Sequence, residues 1–461
     1  MSGHAFHRSI LREYDIRGVV GQTLFPKDSG AIGRAYGTIA RRAGAAGPVC
    51  VGRDGRLSSP ELHGALVEGL RASGVDVIDV GFGPTPMLYF AVYETGAAGG
   101  VMVTGSHNPP EHNGFKMMLG HESFFGDRIR ELGAVAAAGD FTSGRGGLTS
   151  RSVMGAYVVR LAQEYPASAR GLAVGWDAGN GAMGEAMAAL TARLPGRHVL
   201  LNATIDGRFP SHHPDPTVPE NLAELIAAVR RDRLDLGIAF DGDGDRIGVV
   251  DGEGTILWGD QLLALLARDV LARHPGATII ADVKASQTLF DEVARLGGRP
   301  LMWRTGHSLI KSKMAETRAP LAGEMSGHIF FADGYYGFDD ALFAAVRLLR
   351  TVIAEGTSLS DLRRSLPTAV NTPELRFECG EERKFTLVDE VARRLAARGA
   401  DVITVDGVRV RTADGWWLLR ASNTQAIVVA RCEAFDTAAL DRVKAALAAE
   451  LEASGFPVGD F

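Results

Sequence analysis

LGIAFDGDGDRIGVV (residues 236–250) reads as an apolar run, a loop in which Asp alternates with Gly, and a second apolar run. Runs of this length and make-up predict two buried strands around a tight polar turn. The same order returns in VMVTGSHNPPEHNGFKMM (101–118) and in PLAGEMSGHIFF (320–331). Ahead of each loop, another strand ends in an Asp just before a polar loop and a helix: CVGRDGRLSS (50–59), AVGWDAGNGA (173–182) and IIADVKASQT (279–288). Three copies of one α/β unit, each offering its own loop, would explain the pattern. Strands of any α/β sheet often end in polar turns, and pattern alone leaves both explanations open.

Outward from these loops, apolar β-rich runs alternate with Ala/Leu/Arg-rich helical segments. PVCVG (48–52) precedes ELHGALVEGLRASG (61–74), which precedes VDVIDVG (75–81). That rhythm predicts α/β layering with mainly parallel pairing. Boundaries are expected near Gly144–Thr149, Asp251–Gly254 and Pro367–Pro373, dividing the chain into 1–150, 151–253, 254–366 and 367–461. The last stretch differs: a strand, a helix over Lys384–Arg398, several short strands in VDGVRVRTADGWWLLRA and a helix over Thr437–Ala453. It predicts a separate α+β domain with an antiparallel sheet.

Composition bounds the function. With 461 residues, 46% of them hydrophobic, the chain has material for several cores. The net charge of -6 comes without any basic stripe or Lys/Arg block, which argues against nucleic acid as a partner. An anionic substrate must then be held by local basic groups. Cys50, Cys379 and Cys432 are spaced for neither a zinc site nor a disulfide framework; Cys50, in an apolar run, is expected to be buried. A reducing cytoplasm is expected, because MSGHAFHRSILREYD lacks the pattern of a secretory signal. Apolar stretches such as Leu262–Ala267 are far too short to span a membrane.

Four loops carry chemistry. In Thr104–Pro109, Gly105 permits a tight turn, Pro109 and Pro110 stiffen its exit, and Ser106 is a candidate nucleophile beside His107. A serine hydroxyl needs activation unless it serves as a stored phosphoester. In Asp241–Arg246, Asp241, Asp243 and Asp245 crowd three carboxylates into five residues, an arrangement that is repulsive unless a cation sits among them. Oxygen ligands suit Mg²⁺. An EF-hand fits poorly, since the twelfth position is Gly252 and the loop follows a strand; a solvated acidic turn is the plain alternative. Arg246 could contact a phosphoryl group facing that metal. In Gly323–His328, Glu324 and Ser326 can bond sugar hydroxyls, and His328 could carry a proton near neutral pH. In Arg420–Gln425, Arg420, Ser422, Asn423 and Thr424 offer a guanidinium fork with hydroxyl and amide donors, a set suited to a phosphate dianion. Taken singly, the first, third and fourth loops are also compatible with ordinary polar turns.

Together, TGSHNP, DGDGDR, GEMSGH and RASNTQ resemble the α-D-phosphohexomutase superfamily, and the bacterial phosphomannomutase/phosphoglucomutase type within it. The resemblance spans the chain from REYDIRG (12–18) to the fourth loop. It implies four domains, three related α/β domains with mixed sheets and a C-terminal, TATA-binding-protein-like α+β domain, around a central cleft to which each gives one loop. It further implies that Ser106 carries the phosphoryl group and that Asp241, Asp243 and Asp245 bind Mg²⁺ together with a phosphoserine oxygen. Glu324 and Ser326 would hold the sugar 3- and 4-hydroxyls. Arg420, Ser422, Asn423 and Thr424 would clamp the non-reacting phosphate. Tyr14 and Arg17 lie in the matching N-terminal motif, with Arg17 expected near the active serine. Lys116, His107 and His328 match residues of proton transfer or phosphate contact, and Lys284 and His307 match further substrate-facing positions.

The expected reaction converts hexose 1-phosphate to hexose 6-phosphate, of mannose and glucose, through phosphoserine and a 1,6-bisphosphate, with Lys116 or His328 as base. Glucose 1,6-bisphosphate is the expected activator and a monomer the expected state. Two departures from the family stand out: His112, where relatives often carry an aromatic residue, expected in a linking loop, and Gln425-Ala426 in place of Thr-Pro. A phosphoglucosamine mutase is the nearest rival, but Thr104-Gly105-Ser106 and Glu324-Met325-Ser326 favour glucose and mannose. A phosphohydrolase would have no need of a hydroxyl clamp. A sugar-phosphate sensor would be expected to lose the nucleophile or the carboxylates.

Overall fold

A computed structural model describes residues 3–166, 171–423, 425–457 and 459. Thr424 of the expected phosphate loop therefore lies outside the described residues.

The repeat suspected from sequence is a repeat of sheet topology. In the first sheet, Val77–Phe82, Val49–Arg53 and Gly99–Val103 run parallel and His112–Leu119 closes antiparallel. Gly196–Leu201, Leu172–Asp177, Leu236–Phe240 and Ile247–Asp251 repeat that order in the second sheet. The third sheet repeats it with Arg299–Trp303, Thr278–Asp282, Leu321–Gly323 and Ile329–Phe331. The first sheet adds Ile16–Val19, Leu148–Ser150 and Glu122–Ser123 at its margins. In the second, Ile256–Leu257 pairs with Ile247–Asp251, so that sheet extends to Leu257. In every unit the chemical loop joins the last parallel strand to its antiparallel partner. It thus emerges at the carboxyl end of the parallel strands, the end where open α/β sheets bind ligands.

The fourth sheet is antiparallel at every pairing, and its site loop is the hairpin between Gly415–Ala421 and Ile427–Ala434. Two helices cover it: Glu381–Ala397, one turn earlier than expected, and Thr437–Glu452. The earlier start follows Gly380, with Glu381 and Glu382 placed where the helix dipole favours negative charge.

Cores divide along the same line. A single apolar cluster runs through the first three units, joining Phe90, Tyr157, Trp176, Phe240, Leu263 and Phe343. The fourth unit keeps its own core around Leu387, Val391, Trp417 and Leu447. Cys50 is buried as expected. No helix among the described residues is long and apolar enough to cross a membrane.

Candidate active site

Ser106 is a non-glycine residue in the left-handed region, at φ 51°, a conformation that persists only where its surroundings enforce it. Asp54, just past the end of Val49–Arg53, accepts from Thr104 Oγ1 (2.8 Å) and the Gly105 amide (3.1 Å). The Ser106 amide donates back to Thr104 Oγ1 (2.8 Å). Beneath the loop, the buried Arg56 guanidinium donates to the carbonyls of Ser106 (2.7 Å), Asn108 (2.5 Å), Pro109 (2.6 Å) and His112 (3.0 Å). Gly105 is required there, since a Cβ would stand 2.4 Å from Arg56 Nε. Sequence marked Asp54 only as the aspartate of the repeat, without a role, and did not single out Arg56. His112 also departs from expectation: it opens the strand His112–Leu119, opposite Val19, rather than lying in a linking loop.

The acidic loop meets Ser106 from the second unit. Asp241 Oδ1 accepts the amides of Gly244, Asp245 and Arg246 at 3.0–3.1 Å, leaving Oδ2 to face Ser106 Oγ at 3.3 Å. A Cβ on Gly242 would lie 2.3 Å from the Ser106 carbonyl oxygen, so two backbones touch here. Lys116 Nζ donates to Asp243 (2.8 Å) and to Asp245, and Thr85 Oγ1 donates to Asp243 (2.5 Å). Burial and the neighbouring carboxylates push Asp241 well above the usual carboxylate range. Burial works against charge on Lys116, but Asp243 and Asp245 outweigh it and hold the ammonium well above its ordinary value.

The three aspartates suit a hard cation. Their side chains converge within 4.8 Å, all fully buried, and Asp243 Oδ1 and Asp245 Oδ1 have no hydrogen-bond partner. Orphaned anionic oxygens in a dry site are costly, and a divalent cation satisfies them.

Two histidines flank the cluster in opposite states. His107 donates from Nδ1 to Asp215 (3.2 Å) and accepts at Nε2 from Arg246 (3.2 Å); burial, then Arg246 and Arg17, push it well below its ordinary value. His328 is enclosed by Glu324 on Nδ1 (2.9 Å) and Asp245 on Nε2 (3.3 Å). Burial opposes its charge, yet the carboxylates, Asp245 foremost, raise it to about 9. Asp215 belongs to SHHPDP, a segment not singled out by sequence; its neighbour His213 donates to the His107 carbonyl (2.5 Å), and Phe209 lies under the Arg56 guanidinium. The density of His and Pro was the available signal.

In the third loop, Glu324 accepts the Gly306 amide (2.6 Å) and Ser326 Oγ (3.1 Å), and is held down to about 2: burial resists, but His328 and Lys284 prevail. Asp282, in the repeat position of Asp54, accepts the Met325 amide (3.1 Å). Asp177, the third of these aspartates, instead accepts from His212 (2.9 Å). His307 stacks on His328 with ring centres 5.5 Å apart.

The fourth loop joins from a distance. Asn423 donates to Tyr14 Oη (2.7 Å), which donates to the Thr305 carbonyl (3.0 Å). Arg420 pairs with Asp406 (3.1 Å), which also accepts the Thr305 amide (3.0 Å). Ser422 Oγ accepts the Gln425 amide (3.2 Å). Lys284 pairs with Glu374 (3.1 Å), and Arg17 with Asp15. The first three loops therefore meet directly, while the fourth is linked through Tyr14, Thr305 and Asp406.

Comparison with known proteins follows this division. Residues 8–141, 156–254 and 258–370 match phosphoglucomutase/phosphomannomutase alpha/beta/alpha domains I, II and III, and 374–450 match the C-terminal domain of that family. A Pseudomonas aeruginosa phosphomannomutase/phosphoglucomutase is 44% identical over 98% of this chain and 97% of its own. A Neisseria gonorrhoeae phosphoglucomutase is 43% identical over 97% of each. The crystal structure of a phosphoglucomutase/phosphomannomutase family protein from Burkholderia thailandensis superposes with a TM-score of 0.92 at 46% identity, covering 98% of both chains.

Proposed function

Because the chain belongs to the phosphoglucomutase/phosphomannomutase family, we propose that its four loops form one centre in which Ser106 holds a phosphoryl group in reserve. The enzyme is an isomerase of the phosphotransferase type that interconverts hexose 1-phosphate and hexose 6-phosphate. The observation that carries the assignment to Ser106 is its strained backbone, fixed by Asp54 and Arg56 with Oγ aimed at Asp241.

In this reading the free hydroxyl of a hexose phosphate attacks phosphorus, the bond to Ser106 Oγ breaks, and a hexose 1,6-bisphosphate forms. After the sugar turns end over end, Ser106 Oγ attacks the other phosphate and the isomer leaves. Asp241, Asp243 and Asp245 would hold Mg²⁺, which when bound neutralises charge on the transferring phosphoryl group. Lys116, which pairs with the Oδ2 atoms of Asp243 and Asp245, would serve as the base, those two carboxylates being the ones that would also hold the cation. His328, the cation of the histidine pair, supplies a proton, while neutral His107 orients Arg246 towards the phosphate. Glu324 and Ser326 take the sugar hydroxyls either way up. Arg420, Ser422 and Asn423 hold the phosphate that is not reacting, Tyr14, Lys284 and His307 face the substrate, and Arg17 stands at the Ser106 end. The four units, divided near 150, 257 and 366 once the strand Ile256–Leu257 is kept with the second sheet, would carry phosphoserine, metal, sugar and phosphate in turn. A phosphoserine lost to water needs a bisphosphate to restore it, which supports glucose 1,6-bisphosphate as activator. Scarce, unpaired cysteines support a cytoplasmic setting.

Ser106→Ala tests the assignment. Turnover of glucose 1-phosphate is expected to fall on the order of a thousandfold or more, and mass mapping after incubation with glucose 1,6-bisphosphate is expected to find phosphate on Ser106 of the wild type. Undiminished isomerisation by the variant would refute it.

A further inference from the structure

Behind the sugar loop, His328 Nε2 faces two carboxylates that each keep one oxygen unpaired. Asp245 gives Oδ2 to Lys116, and its Oδ1 stands 3.3 Å from the imidazole nitrogen. Asp339 gives Oδ1 to Lys311 (2.9 Å), and its Oδ2 lies 3.4 Å from His307 and 3.9 Å from His328. Both free oxygens are fully buried and without a hydrogen-bond partner. The three ligand atoms fall within 4.8 Å of one another.

The geometry points to a second cation site here, formed by Asp245, His328 and Asp339 and selective for a borderline transition metal such as Zn²⁺. Ligands about 2.0–2.1 Å from zinc stand roughly 3.3 Å apart at the edge of a tetrahedron; Asp245 Oδ1 already has that spacing from Nε2, and Asp339 Oδ2, at 3.9 Å, must close in by about half an ångström. An imidazole nitrogen with two carboxylate oxygens is zinc chemistry rather than magnesium chemistry. The remaining ring nitrogen is already placed: Nδ1 meets Glu324 at 2.9 Å, the carboxylate–histidine arrangement that orients a zinc ligand. Arg246 Nε, 3.4 Å from Nε2, must swing aside.

The consequence is inhibition. A zinc ion at this position displaces the Nε2 proton to solvent and takes the nitrogen that the proposed mechanism uses to move a proton. It also claims Asp245 Oδ1, one of the orphaned oxygens offered to Mg²⁺, so the two cations compete for one aspartate.

X-ray absorption at the zinc edge, on metal-free full-length protein loaded with one equivalent of Zn²⁺, tests the site. Scattering from one imidazole is expected, and it disappears in His328→Gln. Competition against a chromophoric chelator is expected to show zinc affinity at least about tenfold lower in Asp339→Asn, a residue outside the triple-aspartate cluster. An all-oxygen shell, or an imidazole signal that survives His328→Gln, overturns the proposal by placing zinc elsewhere. Unchanged affinity in Asp339→Asn overturns it as well. Neither readout involves turnover, so the phosphotransfer reading is tested separately.

Discussion

The end of the site around Ser106 and the end around Arg420 are built in different ways. At the first, loops from three units converge over a continuous apolar core, Ser106 is 2% exposed and the three aspartates are fully buried. At the second, the loop sits on a unit with its own core, and much of what joins that unit to the rest is polar. Arg409 donates to the carbonyls of Val283 and Ala285 (2.7 Å each), Arg431 donates to the Lys284 carbonyl, and Glu433 accepts the Gln287 amide (3.0 Å). An apolar patch of Val283, Trp416 and Leu418, with Met302 and Val405 packed against it, joins the units as well. Packing resists small displacements, whereas individual hydrogen bonds contribute only about 1 kcal/mol each and re-form readily. The end proposed to react is accordingly held by packing, and the end proposed to accept either phosphate is joined largely by polar contacts.

Substitutions can break this contrast. Arg56→Met strips the donors from four loop carbonyls and leaves Asp54 without its ion-pair partner. A buried pair broken on one side costs about 3 kcal/mol or more. The urea midpoint is expected to fall by that equivalent, with phosphorylation of Ser106 lost in parallel; a drop in stability with phosphorylation intact would separate the two roles. Glu374→Gln tests the polar junction through pH. Lys284, the main cause, holds Glu374 down from 4.5 to about 2. The pair therefore contributes its stability above about pH 4.5 and loses it as pH falls towards 2, on the order of 3 kcal/mol in all. The variant is expected to be less stable at pH 7, with the deficit shrinking as the solution is acidified, as denaturant titrations at several pH values would show. Arg420→Lys should have the smallest effect. It keeps the charge but loses the planar fork, so KM is expected to rise about tenfold with stability nearly unchanged. A fall in kcat alone would move Arg420 from binding to chemistry.

The four loops were legible because their chemistry is local. Three Asp within five residues, or Ser-His-Asn-Pro between two apolar runs, announce themselves without knowledge of the fold. The repetition of the three units was suggested for a similar reason, since the same strand–loop–strand phrase recurs, but the pattern left an ordinary α/β succession open and the order of strands in each sheet was not read. Arg56 was not, because in sequence it is one more arginine after a strand. Its meaning comes from carbonyls about fifty residues away that only the finished sheet brings over it. Asp339 escaped likewise, being defined by Lys311 and two histidines drawn from separate elements. The protonation states were also hidden. Lys116 and His328 were both candidate bases, and each turns out to be enclosed by carboxylates that favour its charged form.

Gly242 sets a tolerance for the whole assembly. Because no side chain separates its Cα from the Ser106 carbonyl, the gap between nucleophile and acidic trio is gauged by main chain against main chain, with no rotamer free to take up slack. A single added methyl, as in Gly242→Ala, would act as a shim between two units. It would make the reach of Ser106 a property of how whole sheets seat on each other.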